Sequence, residues 1–90
     1  DFVLVDVREP NEYEINKMPG SILIPKGEVL SGKAFEQLGQ DTQVVLSCKS
    51  GARSAECLAV LKGAGYSDAV HVGGGIVAWV NQIDPSQPSY

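Results

Sequence analysis

The stretch Val44-Val45-Leu46-Ser47-Cys48-Lys49-Ser50-Gly51-Ala52-Arg53-Ser54 holds the turn from which the fold can be read. Its opening Val44-Val45-Leu46-Ser47 is an apolar run of the kind buried within a parallel sheet. From Arg53 to Lys62 the pattern turns helical, with Ala55, Leu58, Ala59 and Leu61 forming an apolar stripe. Gly63 and Gly65 close that helix. A cysteine at such a strand-to-helix turn is placed for nucleophilic chemistry. The backbone N–H groups of the turn point inward, and the helix dipole adds roughly half a positive charge there. Both favour the thiolate, which is the reactive form, and a nearby arginine does the same. Gly51 permits the backbone conformation that a cradle of amides needs.

Working outward, Phe2 to Val7 reads as a second strand buried on both faces. Pro10 suits the first position of a helix, with Glu12 and Glu14 in its first turn. That helix is expected over Glu12 to Ile15 and stops near Pro19-Gly20. Ile22-Leu23-Ile24 predicts a brief strand ended by Pro25, Gly27 to Gly32 a loop, and Ala34 to Leu38 one or two helical turns ending at Gly39. Ala69 to Val72 predicts a further short strand. Gly73-Gly74-Gly75 forces a tight turn, and Ile76 to Val80 resumes a helical pattern. The tail, residues 84–90, is turn-rich and expected along the surface. Strands alternating with helices imply parallel pairing, with helices on both faces of the sheet.

Composition narrows the function. Ninety residues make one domain. The 7 Lys and Arg against 11 Asp and Glu leave no basic face for nucleic acid. No apolar stretch approaches the ~20 residues of a membrane span, and no signal peptide opens the chain. A strand-like run follows Asp1 at once, so a fragment of a longer protein is expected. Two cysteines make no disulfide framework, which points to a reducing, cytoplasmic setting.

Lys49, Ser50, Gly51 and Ala52 are small or polar, so the turn can fold its amides around one point. Arg53 has two candidate roles: to orient the loop or bind an anionic donor, or to pair with a carboxylate beneath the loop. Lys49 is expected toward solvent, where it would attract a donor's charge or dock an acceptor's tail. Asp6, Arg8 and Ser54 are supporting candidates. Asp6 and Arg8 sit at the C-terminal end of the first strand, the edge where open parallel sheets bind ligands. The alternative for them is a structural ion pair among Asp6, Arg8, Glu9 and Glu12. Cys57 lies mid-helix among apolar neighbours and reads as buried and structural. His71, the sole histidine, cannot make a metal site without a Cys or carboxylate cluster beside it. A Cys-His dyad is unnecessary where backbone donors already hold the sulfur. Trp79 reads as core. Gly73 to Gly75 match no nucleotide fingerprint, and a close approach to the Cys48 loop is their expected use.

Four segments in order carry a resemblance over nearly the whole chain. They are Leu4-Val5-Asp6-Val7-Arg8-Glu9-Pro10 with Glu12-Tyr13, Pro19-Gly20-Ser21-Ile22-Leu23-Ile24-Pro25, the Cys48 to Ser54 loop, and Gly73-Gly74-Gly75 with Trp79. Together they resemble a rhodanese (sulfurtransferase) domain. The loop and the Asp84-Pro85, Pro88 and Tyr90 close look like the C-terminal rhodanese domain of sulfur-carrier adenylyltransferases. The resemblance implies a three-layer α/β/α sandwich with a mostly parallel sheet of about five strands. It also implies sulfur relay through a Cys48 persulfide, with no other cofactor and no metal. The donor would be thiosulfate or a protein persulfide such as that of a cysteine desulfurase. The acceptor would be a ubiquitin-like sulfur carrier, its C-terminal carboxylate activated by an adenylyltransferase domain of the same chain, in molybdopterin, thiamine or cysteine synthesis. A persulfide anion is large and diffuse, and inward N–H groups suit it. The rivals are a non-catalytic binding module of the same fold and a phosphatase or arsenate reductase. Phosphatases of this fold carry a loop one residue longer, whereas only four residues separate Cys48 from Arg53. Many rhodanese domains read Gly-His-Ile where this chain has Asn16-Lys17-Met18.

Overall fold

The computed structural model describes residues 2–83 and Ser86. Strand and helix alternate along it: β1 (Phe2–Asp6), α1 (Pro10–Ile15), β2 (Ile22–Leu23), α2 (Lys26–Leu30), a 3-10 turn at Lys33–Glu36, β3 (Gln43–Ser47), α3 (Ala52–Gly63), β4 (Val70–His71) and α4 (Gly75–Gln82). The sheet order is β2-β1-β3-β4, and every pairing is parallel. Both long apolar runs thus lie at the centre, where a strand is covered on two faces.

The described residues form four strands rather than the five that the resemblance implied, because the remaining apolar runs, 26–30 and 75–82, are helical. β4 is also shorter than the Ala69 to Val72 run. The Ala69 N–H turns back to the carbonyl of Tyr66 at 3.1 Å and leaves the ladder.

Alternation along β1 sorts the core into two layers. Val5 and Val7 join Val44, Leu46, Val29, Cys57 and Leu61 beneath α2 and α3. Leu4 faces the other way, toward Met18, Ile76, Val80 and Trp79 beneath α4. The result is a parallel sheet enclosed by helices, the arrangement that the resemblance implied. Two local expectations change. Residues 27–32 were expected as loop, yet Lys26–Leu30 is helical: Pro25 presets the entry at φ −55°, Val29 is buried, and Lys26 pairs with Glu56 of α3 at 2.7 Å. The inward face of α3 is Ser54, Cys57 and Leu61, with Ala55 and Ala59 exposed. The small alanines sit outside because the start of α3 faces the loop, not the apolar core.

The tail expected at 84–90 lies, apart from Ser86, outside the described residues. No helix among the described residues is long and apolar enough to cross a membrane. What the topology does for function is set one edge. Asp6 is paired with Ser47, and Leu46 with His71, so Arg8, Cys48 and the end of β4 all emerge at the C-terminal side of the sheet.

Candidate active site

Cys48 follows directly on β3, and Gly51 turns the chain into α3 with φ +113°. That left-handed conformation is accessible to glycine at little steric cost. It brings two backbone donors onto one atom: the N–H of Gly51 lies 3.1 Å and that of Ser54 3.3 Å from Cys48 Sγ. The sulfur thus takes the place that a side-chain oxygen usually holds at a helix start. Cys48 is buried, with 1% of its surface exposed. Burial pushes its thiol up, but hydrogen bonds from the Ser54 hydroxyl and the backbone N–H groups of Ser54, Gly51 and Arg53 outweigh it. The pKa ends below the ordinary cysteine value.

The fully buried Ser54 stands at the centre of a second set of contacts. Its Oγ lies 3.6 Å from Cys48 Sγ, 3.1 Å from the carbonyl of Gly51 and 2.9 Å from His71 Nδ1. The sequence set His71 aside because it has no metal-ligating cluster beside it and a Cys-His dyad is unnecessary where backbone donors hold the sulfur. Only the β3–β4 register brings it to Ser54.

The loop's outer side is held just as firmly. The carbonyls of Cys48 and Lys49 accept the N–H groups of Ile76 and Val77, at 2.8 and 3.0 Å, capping the first turn of α4. Gly75, at φ +57°, packs so tightly here that a Cβ would meet Cys48 O at 2.2 Å. The expected close approach of the glycine run to the loop is therefore what the structure contains.

Arg53 reaches α1 with its side chain. Its guanidinium binds Glu12 of α1 through two hydrogen bonds of 2.6 and 2.9 Å. Its help to Cys48 comes through its backbone N–H, and its guanidinium ties α3 to α1. Asp6 and Arg8 form a separate, fully buried pair at 2.8 Å, with Arg8 also donating to Asn16 Oδ1 and Asn16 O at 2.9 and 2.7 Å. The ion pair expected among Asp6, Arg8, Glu9 and Glu12 is the Asp6–Arg8 one, while Glu12 binds Arg53 and accepts the backbone N–H of Glu9. Asn16, unremarked as a partner in the sequence, holds the far end of α1 to the first strand. Lys49 is half-buried, Ser50 and Ala52 are exposed.

Residues 1–82 match the rhodanese-like domain. The chain belongs to the rhodanese-like domain family. It is 52% identical over 89 residues to the probable adenylyltransferase/sulfurtransferase MoeZ of Mycobacterium tuberculosis, covering 99% of this chain and 23% of that protein. A sulfurtransferase of Allochromatium vinosum is 35% identical over 79 residues, 88% of this chain and 72% of its own. Among solved structures, the rhodanese-related protein of Thermoplasma volcanium superposes with a TM-score of 0.82 at 32% identity, over 91% of this chain and 79% of that one.

In this rhodanese domain the remaining candidates fall away from the sulfur. Cys57 is buried in the core beneath α3, and burial, then the neighbouring Glu56, pushes its thiol up to about 11. Trp79 packs beside Ile76 and Val80. The Asn16-Lys17-Met18 departure is absorbed structurally: Asn16 binds Arg8, Lys17 lies over the Tyr13 ring at 4.5 Å, and Met18 is buried under α4. Among the described residues, no group of three His, Cys, Asp or Glu is placed to hold a metal.

Proposed function

We propose that Cys48 carries sulfane sulfur as a persulfide, taken from thiosulfate or a protein persulfide and passed to an acceptor. The Cys48 thiolate attacks the outer sulfur of the donor. The donor's S–S bond breaks, sulfite leaves thiosulfate, or a cysteine thiolate leaves a protein persulfide, with the electron pair, and Cys48 holds a terminal sulfur anion. The observation that carries this reading is the pair of backbone N–H groups, from Gly51 and Ser54, directed at Cys48 Sγ at the start of α3. Fixed donors at a helix N-terminus stabilise negative charge without reorganising as it develops. Lys49, Ser50, Gly51, Ala52 and Arg53 complete the loop, with Asp6, Arg8 and Ser54 supporting it.

The acceptor we infer is the C-terminal carboxylate of a ubiquitin-like sulfur carrier, activated as an adenylate and converted to a thiocarboxylate. The similarity to MoeZ, whose name joins an adenylyltransferase to a sulfurtransferase, supports an adenylyltransferase partner in the same protein. Such a relay would serve molybdopterin, thiamine or cysteine synthesis. It needs Cys48 reduced, which suits the cytoplasm.

The test is direct. Protein incubated with thiosulfate is expected to gain the mass of one sulfur atom on Cys48 and to release it to cyanide as thiocyanate. Cys48→Ser should gain none. An equal gain in Cys48→Ser, or none in the wild type, would reject the reading. Cys48-dependent hydrolysis of an aryl phosphate instead would assign the loop to phosphate chemistry.

A further inference from the structure

Building on the reading of Cys48 as the sulfur-bearing nucleophile, we propose that His71 is a positioning residue that takes the Cys48 proton through Ser54. The Ser54 hydroxyl has a single hydrogen and sits among Cys48 Sγ, Gly51 O and His71 Nδ1 at 3.6, 3.1 and 2.9 Å. Its direction therefore depends on which neighbour carries a proton. With Cys48 as the thiol, Sγ–H donates to Ser54 Oγ and Ser54 donates to Nδ1. With Cys48 as the thiolate, the hydroxyl turns to Sγ, and Nδ1 must carry a hydrogen to keep its contact. The change between the two states is balanced within the three side chains. The Sγ proton passes to Ser54 Oγ as Ser54's own proton passes to Nδ1. The products are a thiolate, a neutral serine and an imidazolium.

Position and surroundings favour this route. Ser54 is fully buried and Cys48 nearly so, whereas His71 is half-buried and can exchange its proton with water. β3 and α3 pack most closely against β4. The titratable groups on them and on the turn between them are Cys48 and Lys49 on the turn and Arg53, Glu56, Cys57 and Lys62 on α3. Arg53 is paired with Glu12, Glu56 with Lys26, and Lys62 with the carbonyl of Ser67. Cys57 stays protonated in the core. Cys48 is thus the group that His71 addresses through a hydrogen-bonded side chain.

His71 is the sole histidine, so nitrogen-labelled histidine gives one imidazole ring to titrate by NMR. Thiolate formation at Cys48 is followed in parallel by ultraviolet absorbance, with Cys48→Ser as the baseline. Coupled groups shift each other equally, so His71→Phe should raise the Cys48 midpoint by about one pH unit and Cys48→Ser should lower the His71 midpoint by the same amount. His71→Asn keeps a hydrogen-bonding group beside Ser54 but cannot take up a proton. It should leave the Cys48 midpoint raised, and it carries the test if His71→Phe fails to fold. A wild-type Cys48 midpoint in His71→Asn, or an unmoved His71 titration in Cys48→Ser, overturns the proposal. Both measurements use unloaded protein without donor, so failure of sulfur loading is seen separately from failure of the proton route.

Discussion

Gly75 and Cys48 touch through backbone alone: a Cβ at position 75 would stand 2.2 Å from the Cys48 carbonyl oxygen and 2.6 Å from that of Lys49. No side chain can swing aside to relieve such a contact. Gly75→Ala is therefore expected to destabilise the fold by roughly 3 kcal/mol or more, since it adds the clash to a φ of +57°. Gly73→Ala, where a Cβ meets nothing within 4 Å, should cost far less. Denaturant midpoints of the two variants check this, and equal losses would contradict it.

The buried Asp6–Arg8 pair gives a second expectation. Asp6→Ala removes the carboxylate that neutralises a fully buried guanidinium and should cost about 3–5 kcal/mol. Removing both charges, in Asp6→Ala with Arg8→Met, should recover part of that loss because the buried positive charge goes with its counter-ion. Urea unfolding of the two variants measures the difference. A double variant less stable than Asp6→Ala would mean that Arg8 acts mainly by holding Asn16.

Arg53 and Glu12 offer a test of what the arginine does. If Arg53 works by tying α3 to α1, then Arg53→Met and Glu12→Gln should each slow sulfur loading by roughly tenfold, and the double variant should be no slower than the worse single one. Loading rates from thiosulfate decide the matter. A loss confined to Arg53→Met would assign the guanidinium to the donor.

Cys57 predicts an alkaline effect on stability. Its folded pKa, about 11, lies above the ordinary value of 9.0, so the folded state favours the thiol. That contribution is complete below pH 9 and is lost as pH rises toward 11, amounting to on the order of 2 kcal/mol. Cys57→Ala should start less stable, because it empties core volume, yet decline less steeply between those pH values. Parallel curves for wild type and Cys57→Ala would remove the assignment. At neutral pH the same variant should load sulfur normally.

How much of this was legible beforehand depends on the kind of signal each residue gives. The apolar runs of β1 and β3 announce buried strands, and the cysteine turn with its glycine announces a ring of amides. Both are local, and both hold. The short helix at Lys26–Leu30 left no pattern, because one buried residue, Val29, and one ion pair stabilise it. The inward face of α3 was misread because hydrophobicity selects Ala55 and Ala59, whereas the face turned to the site begins with Ser54. His71 and Glu12 were legible as residues but not as partners of Ser54 and Arg53. Those contacts join segments 17 and 41 positions apart, and they exist only once the parallel register is set.

The way α4 takes the carbonyls of Cys48 and Lys49 has one more effect. Both carbonyls point out to the first turn of α4, while the Gly51 and Ser54 N–H groups of the same turn point in to the sulfur. The turn is therefore shaped from two sides: α4 grips its start, and α3 supplies the donors at its end. A change in how α4 seats on the sheet would be felt at Cys48 without touching any side chain of the site.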